Sequence, residues 1–132
     1  YDPQMWVVAL PVGLITVAIL HCNNARDVAT DRRAGISTLA MQVGSRWSRV
    51  FYLAEVLLPY ALLIVFAATG RMHWMVLLTL LSLPIALGNS RQMLASRDEG
   101  VAAISTLDEM TDQLQLAFRV LLTLSLVIAA FL

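Results

Sequence analysis

Lysine does not occur anywhere in the 132 residues, so all nine positive side chains are arginines, balanced by nine aspartates and glutamates. With no net charge, and with the loop arginines assigned to membrane topology, no basic patch remains for nucleic acid. Cysteine occurs once, as Cys22, which excludes an internal disulfide. His21 and Cys22 stand together without a second cluster of metal-type ligands, which argues against zinc. A G-x-S-x-G nucleophile elbow and a phosphate-cradling glycine-rich loop are also missing. Charged residues make up only 14% of the chain, well below the roughly 25% of a soluble domain. Opening on Tyr1 without a signal-peptide n-region, and closing on Leu132 in an apolar run, the sequence reads as the C-terminal part of a longer polytopic protein.

What it has in abundance is apolar sequence: 59% hydrophobic residues and a mean hydropathy of +0.75, arranged in long blocks rather than in alternation. A helix of about 20 residues crosses a hydrocarbon core of roughly 30 Å. The blocks predict an all-α, polytopic transmembrane helix bundle with spans over residues 5–22, 50–68, 73–88 and 114–132. Pro11, Pro59 and Pro84 each follow a leucine inside one of the first three spans, and neighbouring helices can satisfy the carbonyls they free. Gly13 would permit close helix contact. Gly35 and Gly44 are candidate breaks in the polar segment, residues 36–43 a short interfacial piece, and residues 69–71 a tight turn. Arginines gather in the first loop (Arg26, Arg32, Arg33, Arg46, Arg49) and the third (Arg91, Arg97), against Arg71 alone in the second. The positive-inside bias therefore puts the first and third loops in the cytoplasm and both termini outside.

The long polar segment between two apolar ones, residues 21–40, carries the chemistry. Asn23, Asp27 and Asp31 fall at i, i+4 and i+8, which stacks an amide and two carboxylates on one face if the first helix continues through them. Carboxylates one turn apart repel, by about 0.2–0.5 kcal/mol even when exposed. A cation between them relieves that repulsion. Magnesium takes oxygen ligands and is commonly held by one or two carboxylates plus substrate phosphates. Asp27 and Asp31 fit as carboxylates and Asn23 or Asn24 as an amide oxygen, while Arg26, Arg32 and Arg33 suit phosphate oxygens. The alternative is a solvated, topology-setting loop whose Asp and Arg pair with one another. Adjacent asparagines at a membrane edge weigh toward a site, because buried amides need partners. Glu55 and Arg119, ionisable groups inside spans, are either functional, a buried pair, or snorkelling near the interface. His73 beside Trp74 reads as an interfacial belt, and Met72, Met75, Met93 and Met110 as packing.

Residues 19–44, ILHCNNARDVATDRRAGISTLAMQVG, resemble the second aspartate-rich motif of the UbiA superfamily of intramembrane prenyltransferases. The form N-N-x-R-D-x-x-x-D-x-x-A-G-x-x-T-L-A is similar to the branch that prenylates 1,4-dihydroxy-2-naphthoate for menaquinone. Leu10-Pro11, and Gln113, Leu114 and Leu116 at the start of the last span, are also similar to that branch. Ile36 stands where many bacterial members carry lysine, a pattern closer to the animal relatives.

The resemblance implies a bundle of nine helices around a cavity facing the cytoplasm, of which this chain supplies the last four. It implies that Asp27, Asp31 and Asn23 bind Mg2+, that Asn23, Asn24, Arg26, Arg32 and Arg33 bind the diphosphate, and that Asp27, Asp31 and Arg26 are catalytic. The implied partners are a polyprenyl diphosphate, a dihydroxynaphthoate-like aromatic acceptor and membrane lipid; in a bacterium the site is the inner membrane. The family's first aspartate-rich motif, N-D-x-x-D-x-x-x-D, has no counterpart here, so the chain alone is an incomplete enzyme. Two alternatives stay open: another aromatic acceptor such as 4-hydroxybenzoate or homogentisate, and a non-catalytic membrane module.

Overall fold

A computed structural model of the chain describes residues 4–132, so the first three residues of the expected domain over 1–132 lie outside the described range. Among the described residues there is helix and turn but no strand, and four stretches are long and apolar enough to cross a membrane. They are Met5–Arg26, Leu39–Ala68, Trp74–Ile104 and Leu107–Ala130. The four predicted spans are therefore present, and every one of them is longer than its hydropathy implied. Hydropathy marks only the hydrocarbon-crossing part. Helix is also the way a backbone satisfies its own polar groups beyond that zone, so it runs on into polar sequence.

The first helix, α1 (Met5–Arg26), continues past Cys22 through both asparagines. A short α2 (Val28–Arg33) follows, and α3 (Leu39–Ala68) starts well before the expected Val50. The polar segment expected as a loop over 23–49 is thus largely helical. Its two glycines punctuate it as expected. Gly35, at φ 73°, sits just beyond the end of α2, where the Ile36 N–H reaches the Asp31 carbonyl (2.9 Å) and the Gly35 N–H reaches that of Arg32 (3.2 Å). That is the left-handed glycine stop of a helix C-terminus. Gly44, at φ 80° and ψ 167°, separates a short leading piece from the main body of α3. Only glycine adopts that backbone region readily.

The third span departs most from its expected form. A 3-10 stretch, Trp74–Ser82, precedes α4 (Leu83–Glu99), and a second 3-10 turn, Gly100–Ile104, follows it. Pro84 lacks the N–H that would bond the Leu80 carbonyl in an α-helix, and that carbonyl is instead taken by the N–H of Leu83. The polar residues from Asn89 onward were expected in a loop, yet they continue α4. The last helix, α5 (Leu107–Ala130), begins before the expected residue 114, with Asp108 and Glu109 in a first turn where negative charge is favourable.

Helix α1 packs against α3 and α5, and the first 3-10 stretch packs against α5. The core follows helical spacing: Tyr52, Val56, Tyr60 and Leu63 on α3 belong to one buried cluster with Leu107, Leu114, Phe118 and Leu122 on α5. Tyr60 and Phe118 meet edge to face with centroids 5.4 Å apart. Buried hydroxyls pair across elements, Tyr52 with Thr111 and Tyr60 with Ser82, each at 2.7 Å. In an apolar medium such pairs hold helices together where burial of apolar surface gives little. Gly13 has nothing within 4 Å of where a side-chain carbon would stand, so no contact with a described helix uses its small size. The turn at Gly70 and Arg71 lies beside Gln4 and Val7, which puts the N-terminus of α1 at that end. The two arginine-rich connections gather at the opposite end, around α2.

Candidate functional site

The stripe of Asn23, Asp27 and Asp31 survives a change of helix. Asp27 is the junction, at φ −95° and ψ 11°. Its N–H nevertheless reaches the Asn23 carbonyl at 2.9 Å, and the Asp31 N–H reaches the Asp27 carbonyl at 2.8 Å. One-turn spacing is therefore kept through the kink. The Asn23 side-chain oxygen is buried and has no hydrogen-bond partner. An acceptor left so costs about 1–3 kcal/mol, which a donor or a cation would recover. Asp31 and Asn24 are half-buried, Arg33 is exposed, and none of the three side chains has a partner among the described residues.

Arg26 is engaged through all three of its side-chain nitrogens, with one N–H to spare. Its Nε and one Nη donate to Asp27 at 2.8 and 3.1 Å, and the other Nη meets Asp108 at 3.0 Å and the Ser105 carbonyl at 3.3 Å. This ties the junction of α1 and α2 to the start of α5. The guanidinium beside Asp27 holds that carboxyl below the usual carboxylate range. Asp108, not singled out from the sequence, is the partner that fixes Arg26 in place.

Among the described residues no group of three His, Cys, Asp or Glu side chains is close enough to hold a metal ion. The donors present nonetheless fit magnesium. Two carboxylates and an unpartnered amide oxygen are hard ligands, and this ion needs only one or two carboxylates from a protein.

Behind the stripe, His21 is 4% exposed. Its Nδ1 lies 3.0 Å from Glu55 and its Nε2 3.1 Å from the Ser48 hydroxyl. Glu55 is thus half of a buried pair that joins α1 to α3. Arg119 is exposed, with no partner among the described residues.

A cavity of about 420 Å³ opens between α2, the start of α3, the end of α4 and the turn after it. Three arginines line it: Arg32, expected at the site, and Arg49 and Arg97, which the sequence marks only as topology signals. No aspartate or glutamate lines it. Arg97 is far from the motif in sequence, and only the return of α4 to α2 brings it there. The signal that was available is that both missed arginines lie within five residues of a chain-breaking glycine, Gly44 or Gly100.

A family model described as the UbiA prenyltransferase family matches residues 1–111. Relatives named UbiA prenyltransferase domain-containing protein 1 are similar over shorter stretches. The protein of Xenopus tropicalis is 44% identical over 84 residues, which is 64% of this chain and 24% of that protein. That of Homo sapiens is 41% identical over 86 residues, 65% of this chain and 25% of that protein. The Drosophila melanogaster homolog is 45% identical over 78 residues, 59% and 21% of the two. The matched stretch is about a quarter of the length of these relatives. No solved structure matches the chain.

Proposed function

Because the chain belongs to the UbiA prenyltransferase family, we propose that the protein it forms part of transfers a polyprenyl group from an allylic diphosphate to an aromatic acceptor. We take the acceptor to be 1,4-dihydroxy-2-naphthoate, on the route to menaquinone, and the reaction to need magnesium. The observation that carries the reading is the stripe of Asn23, Asp27 and Asp31, with the Asn23 oxygen buried and unpartnered. The names of the relatives specify a prenyltransferase domain and no acceptor. The acceptor rests on the motif's likeness to the naphthoate branch.

The chain is an integral membrane protein by its four spans and its family. Arginine clustering at the α2 end supports a site that faces the cytoplasm. Asn23, Asp27 and Asp31 would hold magnesium, whose chemistry is to supply positive charge against the diphosphate. Arg26, already oriented by Asp108, donates to phosphate oxygens as negative charge develops on the leaving group. Arg32 and Arg33 add to that positive field, and Asn24 offers a further amide. The apolar spans hold the isoprenoid tail and keep water from the allylic cation.

The test uses membranes containing the full-length protein, a polyprenyl diphosphate and dihydroxynaphthoate, with magnesium or EDTA. Magnesium-dependent prenylated product, nearly abolished by Asp27→Asn or Asp31→Asn, is expected. Product with 4-hydroxybenzoate or homogentisate alone would keep the chemistry and discard the acceptor. The closed network of Arg26, Asp27 and Asp108 favours one rival, a non-catalytic module in which these charges only fasten helices. Silence with every acceptor would select that rival.

A further inference from the structure

Beside the carboxylate stripe lies a concentration of the opposite charge that the proposed transfer site draws on only through Arg32. Successive residues of a helix point about 100° apart. Asp27 and Asp31 therefore occupy one face at the start of α2, while Val28 and Arg32 turn to the neighbouring face and line the cavity. Across it stand Arg49, just after the Gly44 break, and Arg97, in the last turn of α4. None of the three guanidinium groups has an ion-pair or hydrogen-bond partner among the described residues. The cavity wall also includes the buried side chains of Met93 and Ile104. Like charges around a partly apolar cavity repel until an anion joins them, and the same apolar wall strengthens their hold on it.

We propose that Arg32, Arg49 and Arg97 form a metal-free oxyanion site that receives the diphosphate after it has left its prenyl chain. Arg49 and Arg97 are the residues this adds to the aspartate motif. The identity of the anion rests on the prenyl-transfer reading; the existence of the site does not. Arg32, one position from Asp31, links the two sites, so a diphosphate leaves the carboxylate face with cationic donors within one helical turn. Phosphate oxygens suit guanidinium forks, which bond them in pairs. A lipid phosphate headgroup offers the same oxygens, and the test separates it.

The experiment measures equilibrium binding of radiolabelled inorganic pyrophosphate to the full-length protein in phosphatidylcholine nanodiscs, with EDTA present throughout. Saturable binding is expected, weakened about tenfold by Arg49→Ala or by Arg97→Ala, the usual scale for a charge-assisted hydrogen bond. Asp27→Asn with Asp31→Asn should leave binding intact, because no metal is involved. Arg49→Lys and Arg97→Lys, which keep the charge but lose the fork, should bind between wild type and alanine, and they provide the reading if an alanine variant fails to elute as a folded particle. No binding by the wild type in EDTA would overturn the proposal. So would alanine and lysine variants that bind like wild type, or a loss of binding in the aspartate variant. Displacement of pyrophosphate by phosphatidylglycerol added to the disc would reassign the cavity to a lipid headgroup. Arginine-dependent binding in a protein silent with every prenyl acceptor would sink the transferase reading and leave the anion site standing.

Discussion

Glu55 offers the sharpest test of how the helices are held. Its carboxylate meets His21 Nδ1 at 3.0 and 3.1 Å, while Nε2 of the same ring is occupied by Ser48. The side chains are 3% and 12% exposed for His21 and Glu55, so water cannot replace a lost partner at the histidine. Replacing Glu55 with alanine leaves a buried ring N–H unsatisfied, which costs about 1–3 kcal/mol. That corresponds to a shift in the unfolding equilibrium of between about 5-fold and 150-fold. Glu55→Gln keeps an acceptor oxygen in the same place and should cost less than half as much. The assay is a detergent-unfolding titration of the full-length protein in mixed micelles, followed by tryptophan fluorescence, with His21→Ala and the double variant completing a cycle. Coupling of about 1 kcal/mol or more between the two positions is expected for contacting residues. Strictly additive effects, or an unchanged midpoint in Glu55→Ala, would refute the claim that this pair fastens α1 to α3.

Two further outcomes follow from the same geometry. Arg26 depresses the Asp27 carboxyl, so its contribution to stability is complete above the unfolded carboxylate value of about 4 and is lost as the pH falls through the lower folded value. An acid titration of stability should show that loss in the wild type and a flatter limb in Asp27→Asn, and the result fails if the two limbs coincide. Gly44→Ala puts a side-chain carbon into open space yet forces it to φ 80° and ψ 167°, so it should destabilise by about 1–3 kcal/mol through backbone strain alone. A neutral effect in the same unfolding assay would show that the break in α3 relaxes.

Much of the architecture was legible because lipid imposes simple rules. Apolar blocks had to be helices, Gly35 and Gly44 did break the chain, and Gly70 did turn it. Helix ends lie beyond the apolar spans wherever polar residues adjoin them, since a backbone leaving the hydrocarbon has no reason to stop being helical. The one-turn spacing of the motif was legible, and the backbones of Asn23, Asp27 and Asp31 keep it through the kink. What pairs with them was not. Glu55 was equally readable as snorkelling or buried, and only the approach of α3 to α1 supplies His21.

Sequence alone therefore determined the class, the number of spans and the oxygen-donor stripe, because hydropathy and helical periodicity are local properties of the chain. Tertiary structure alone decided which charges meet. Arg26 with Asp108, and Arg32 with Arg49 and Arg97 around one cavity, join residues far apart in the chain, and no local rule brings them together. Packing of α5 and the return of α4 to α2 do so, and with them the sign of the charge on each side of the motif.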